Sequence, residues 1–167
     1  MRANYAIIVL AAAAVALAVA ACAPAFSPEA MARVDRTVSF RQLQAAPDAY
    51  RGTWVLAGGV ILATRNLREG TSIEVLERPV DGHGRPLETD ASDGRFIIQS
   101  NQFLDPADFH QGKRISLVGE VAGQDVRPLG EMQYRYPVLT ARELHLWEPH
   151  SSPQVSFGFG IGVSHHF

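Results

Sequence analysis

The side chains able to do chemistry in this chain are few and scattered. A single cysteine, Cys22, stands at the end of an apolar run. One cysteine cannot close an intrachain disulfide, and a nucleophilic or redox thiol needs an activating base and a shaped site around it. An apolar run is neither, so Cys22 asks for another explanation. Zinc sites take ligands at tight spacings, usually four of them. His83, His110, His145 and His150 are spread out, and His165-His166 are adjacent near the chain end. Surface histidines and no metal or cofactor are expected. A hydrolase needs two positioned carboxyl groups with split pKa values. Asp105 is better explained as a helix cap, and Glu120 and Glu131 as strand-end or turn residues, which leaves Asp108 without a second group. No serine lies in a Gly-x-Ser-x-Gly elbow. The expectation is a protein that is not an enzyme.

Recognition chemistry has better candidates. Arg85, in Gly84-Arg85-Pro86, and Arg95, in Gly94-Arg95-Phe96, fall near the ends of the second and third expected strands. On a shared rim they could hold an anionic head group or sugar acid. The competing reading pairs them with Asp81, Asp90 or Asp93. Tyr134 and Tyr136 share a face by period two, and with Trp147 they form an aromatic set that is either ligand-binding or core. A ligand site of Arg85, Arg95 and Tyr134 is therefore the alternative to a purely structural surface. The net charge of -2 over 167 residues supplies no basic face, so nucleic acid is not an expected partner.

The elements that would position these residues begin after residue 22. Met1-Arg2, the apolar stretch from Tyr5 to Ala21 and the small residues before Cys22 are the parts of a secretory signal. The run is slightly short for a membrane span of roughly 20 apolar residues, is mostly alanine, and meets no positive residue until Arg33. Leu17-Ala18-Val19-Ala20-Ala21 before Cys22 resembles the lipobox of bacterial lipoproteins. That resemblance implies a diacylglyceryl group on the Cys22 thiol, cleavage after Ala21 and a membrane partner reached through the lipid. Ala23, rather than aspartate, follows the cysteine. In such lipoproteins this favours export to the outer membrane of a Gram-negative cell.

Residues 22–36 then read as a tether. The domain is expected over 37–148. Ser39 precedes a short helix from Phe40 that ends near Pro47. Strands are expected over Trp54–Thr64, Thr71–Arg78, Arg95–Gln99, Lys113–Val121 and Tyr134–Trp147. Gly58-Gly59 should mark a bulge or a close backbone approach, and Pro137 an edge or bulge. Asp105-Pro106 opens a helix of about two turns, stopped by Gly112. Three strands, a short helix and two strands match the OB-fold. The expected fold class is therefore all-β, a small, partly open five-stranded barrel with one helix between strands three and four.

From Phe40 to Trp147 the chain resembles the Slp family of outer-membrane lipoproteins. The resemblance rests on Tyr50-Arg51-Gly52, Gly58-Gly59-Val60-Ile61, Glu74-Val75-Leu76, Gly84-Arg85-Pro86, Gly94-Arg95-Phe96, Phe103-Leu104-Asp105-Pro106, Gly119-Glu120-Val121-Ala122-Gly123 and Tyr134-Arg135-Tyr136-Pro137-Val138. Pro79-Val80 departs mildly from the proline-leucine common there. The family implies an envelope lipoprotein tied to stress or stationary phase, and no defined reaction. After it, in 149–167, Val155, Phe157, Phe159, Ile161 and Val163 alternate with Gly or Ser. This tail could add a strand to the domain, lie against the membrane, or augment the sheet of an envelope protein partner; a disordered end is the fourth reading.

Overall fold

The computed structural model describes residues 24–148. The signal segment, Cys22 and the alternating tail lie outside the described residues. Five strands, β1 (Trp54–Leu67), β2 (Gly70–Glu77), β3 (Arg95–Ser100), β4 (Arg114–Leu129) and β5 (Met132–Trp147), form a barrel in the order β1-β2-β3-β5-β4. Every pairing is antiparallel except β3 with β5. The all-β, five-stranded barrel expected from the pattern is what the structure shows. The ring is closed, and its thinnest seam is the parallel one, Ile97–Gln99 against Val138–Thr140.

Local chemistry explains the sharp features. β1 pairs with β4 over Trp54–Val60 and with β2 from Gly59 onward, so the glycine pair sits where the strand passes from one partner to the other. A Cβ at Gly59 would lie 1.9 Å from the Leu76 carbonyl oxygen; the close approach expected there is real. β4 and β5 run on past the barrel as a hairpin. Its two-residue turn has Gly130 at φ 61° as the first central residue, the position where a type II′ turn requires glycine. Pro137 lies beside the register shift between Val121 and Gly123, on a stretch of β5 that pairs with β4 alone. There its missing N–H costs no ladder bond.

The barrel is filled. Ile61, Ile73, Val75, Phe96, Ile98, Ile115, Leu117 and Leu139 are each buried to 0% exposure. Two short helices flank them: α1 (Pro28–Arg33) and α2 (Phe40–Ala45). Ser39 and Gln42 close a capping box on α2, which satisfies two orphan amides reciprocally. α2 delivers Leu43 to the core and Phe40 against Phe96, with ring centroids 5.5 Å apart.

Two expectations need correction. The segment between β3 and β4 is a hydrogen-bonded turn rather than a helix: Asp108 and Phe109 both donate to the Asp105 carbonyl, and Asp105 Oδ1 accepts from Ala107 N. A second turn does not form because β1 claims the following backbone. Thr64 Oγ1 donates to the Phe109 carbonyl at 2.6 Å, and Gly112 N to the Ile61 carbonyl at 2.9 Å. The tether is also shorter than expected, because the chain is docked from Phe26 onward. Phe26 and Ala30 pack with Val118, Trp54 and Leu56 on the outside of the barrel. Ser27 caps α1 and gives its amide and hydroxyl to the Glu143 carboxylate, at 2.8 and 2.5 Å.

Candidate functional site

β2 and β3 set the first group. In the β2–β3 register Glu74 stands opposite Ile97, and on that outer face the side chains of β5 reach across. Arg95 Nη1 donates to Glu74 Oε1 at 2.8 Å, and the Tyr136 hydroxyl donates to the same oxygen at 3.2 Å. Tyr134 Oη accepts from Arg95 N at 2.9 Å, and the two tyrosine rings meet edge to face with centroids 4.7 Å apart. Ile97, Tyr136 and Val138 make a small apolar cluster beneath them, with Tyr136 only 3% exposed. The hydrogen bond it donates to Glu74, and the charge of that carboxylate, hold the Arg95 guanidinium above its ordinary pKa. Burial, then the Glu74 carboxylate, pushes the Tyr136 phenol up. The strand 2–3 face is the one that OB-folds commonly offer to ligands. Around Ile97 it is covered by the protein's own tyrosines.

Arg95 and Tyr134 therefore come together, and Arg85 does not join them. Its guanidinium stacks over the Trp147 ring, 5.0 Å from the centroid, at the opposite end of β5 from Tyr134. Asp81 organises that loop, accepting from the backbone amides of Arg85 and His83. Those bonds, led by the one from Arg85, hold the Asp81 carboxyl below its ordinary pKa. So Arg95 pairs with Glu74, an acid not among those anticipated, and the backbone of Arg85 with Asp81.

Beside Trp147 lies an open cleft of about 500 Å³ lined by Arg78, Glu88, Asp90, Lys113 and Arg114 among others. Its charges answer one another. Arg114 pairs with Glu88 at 2.8 Å, Lys113 with Glu148 at 3.2 Å, and Arg78 donates to the carbonyls of Asp90 and Ala91. Among the described histidines, His145 meets the rings of Phe26 and Trp147 edge to face and His110 faces the Gln111 carbonyl. No group of three or more potential metal ligands occurs among the described residues.

Sequence reasoning missed Glu77. It shares strand parity with Ile73 and Val75, which points it inward at the end of β2, and it is 6% exposed. That parity was the available signal. Glu77 Oε2 accepts from Asp93 N at 2.7 Å, and the residue borders a cleft of about 180 Å³ with Phe40, Leu43, Val55 and Ala57. Burial pushes its carboxyl above 4.5 against the lowering effect of the Asp93 amide. A carboxyl raised on folding binds its proton more tightly in the native state, so it costs stability as pH rises from 4.5 through the folded-state value. Glu77→Gln keeps an acceptor for the Asp93 amide and removes the charge. The variant should melt higher than the parent at neutral pH, with the gap closing as pH falls towards 4.5. Thermal melts across that range check it; a gap that ignores pH would refute burial as the cause.

Comparison with known proteins follows the same outline. The family model described as the outer membrane lipoprotein Slp family matches residues 19–160. The chain is 31% identical over 114 residues to an uncharacterized lipoprotein, YeaY, of Escherichia coli K12, covering 68% of this chain and 58% of that protein. It is 35% identical over 94 residues to an uncharacterized protein of Haemophilus influenzae, 56% of this chain and 51% of that one. It is 21% identical over 109 residues to outer membrane protein Slp of Escherichia coli K12, 65% of this chain and 57% of that one. The matched region thus spans a little over half the length of these relatives. No solved structure matches the chain.

Proposed function

Since this chain belongs to the outer membrane lipoprotein Slp family, we propose that it is held in the outer membrane of a Gram-negative cell by fatty chains on Cys22. Its barrel then serves as a non-enzymatic interaction or structural module of the envelope, needed under stress or in stationary phase. One observation carries this reading: the barrel interior is packed solid, with Phe96, Ile98, Leu117 and Leu139 at 0% exposure. A core so fully closed to solvent is filled by its own side chains rather than a ligand, and Arg41, Arg95, Arg114 and Arg142 are paired with the protein's own carboxylates. Binding then falls to the outer surface and to the tail after Glu148.

Crosslinking in intact stationary-phase cells, followed by mass spectrometry of captured proteins and of the Cys22 peptide, tests it. The expected result is a discrete envelope partner together with a diacylglyceryl-modified Cys22. A polypeptide that still began at Met1 with a free thiol would overturn the anchoring. Turnover of a small envelope metabolite by the purified protein would overturn the non-enzymatic role. The competing reading, a small-ligand binder or hydrolase, is favoured by one feature, the Glu77 cleft under α2. A buried carboxyl with a raised pKa in a cleft is the kind of group such sites use.

A further inference from the structure

The docked N-terminal segment decides how the barrel can sit on a membrane. Phe26 is 4% exposed, and Ser27 is clamped on Glu143 of β5. Only four peptide steps separate Cys22 from Phe26. Whatever their conformation, they span at most about 14 Å. A folded unit of this size has a radius of gyration of about 14 Å. The leash is therefore too short for the far side of the barrel to reach the bilayer that holds the lipid.

The other chain exit is on the same side. The Phe26 ring meets His145 edge-on at 6.4 Å, and His145 meets Trp147 at 4.4 Å. Trp147 is pinned to β4 by its indole N–H, which donates to Ser116 Oγ at 2.8 Å. The described chain thus ends at Glu148, one residue past Trp147 and within two ring contacts of Phe26. The wall beside the Phe26 exit has interfacial character. Trp54 is partly exposed, with Arg33 4.9 Å and Arg142 5.6 Å from its ring. An indole flanked by guanidinium groups on aliphatic stems suits a boundary that is apolar on one side and wet on the other. Glu29, Glu120 and Glu143 on the same wall outnumber those two arginines, so anionic lipid is not what brings the wall to the surface.

We propose that the wall formed by α1, Trp54 and the His145–Trp147 end of β5 is the face the barrel rests on the bilayer. This rests on the Cys22 anchor proposed above.

The test uses the full-length lipidated protein in phosphatidylethanolamine–phosphatidylglycerol vesicles carrying a nitroxide on the headgroup. Cys22 is the chain's single cysteine and is blocked by its thioether, so an added thiol can be labelled alone. A fluorophore is placed at Glu29→Cys, exposed on α1, or at Gln99→Cys, exposed on β3 across the ring from the β1–β4 seam. Several-fold stronger quenching at 29 than at 99 is expected. Equal or reversed quenching in protein that floats with the vesicles overturns the face assignment. Protection of the residue-29 label from both the nitroxide and aqueous iodide overturns it too, because a protein would then cover that wall. Failure to float at all would instead strike the anchor, so the two failures are distinguishable.

Discussion

Cys22→Ala should empty the outer-membrane fraction of this protein. Each methylene placed in hydrocarbon contributes about 0.8 kcal/mol, and one acyl chain alone binds only marginally, near 10⁴ M⁻¹. A second chain with a dozen buried methylenes adds roughly 10 kcal/mol, which turns a transient contact into a permanent one. Alanine has no sulfur to carry either chain. What remains is a run from Tyr5 to Ala21 that is short and alanine-rich for a span, and no helix among the described residues is long and apolar enough to cross a membrane. Fractionation with a carbonate wash reads the outcome. A variant that stayed with the outer membrane after washing would sink the lipid anchor, and with it the face assignment.

Phe96→Ala is expected to cost about 3–5 kcal/mol, the range for removing a buried phenylalanine. The upper part of the range applies, because the site cannot collapse easily. Phe96 has 0% exposure, its ring meets Phe40 of α2, and its backbone is fixed opposite Val75 in the β2–β3 register. A hydrogen-bonded barrel on one side and a capped helix on the other leave the cavity little freedom to fill. Single domains have only about 5–15 kcal/mol to lose, so the urea midpoint should fall steeply with an unchanged slope. A loss under about 1 kcal/mol, the scale of well-tolerated core exchanges, would mean that the filled interior, and the argument from it against an internal ligand, is wrong.

Much of the fold was legible because period-two alternation is a local signal. Thr71–Arg78 and Arg95–Gln99 announced strands that the structure places at Gly70–Glu77 and Arg95–Ser100. The long arms of β4 and β5 were cut short in the reading, since Gln124–Leu129 carries little apolar pattern. Those residues are held by pairing with Met132–Pro137 instead, a non-local cause. The helix after β3 was over-read for the matching reason: Asp105-Pro106 is a sound start signal, and nothing nearby in sequence reveals that β1 will take the next carbonyls.

The candidate site fared according to the same rule. Tyr134 and Tyr136 were placed on one face by parity, and they share it. Their partners Glu74 and Arg95 lie on other strands, and only closure of the ring through β3 and β5 brought them within hydrogen-bonding distance. Arg85 and Arg95 stood at comparable strand ends, yet the loop between β2 and β3 carried Arg85 to Trp147.

Residue types and their spacing along the chain determined the five strands and the family and raised the expectation of a lipid-bearing Cys22, because each is written in neighbouring side chains. The tertiary structure decided which charges neutralise which, that Glu77 is buried, and that Phe26 and Trp147 leave the barrel side by side. Those outcomes depend on strands far apart in sequence meeting around one filled core, and no window of adjacent residues carries that information.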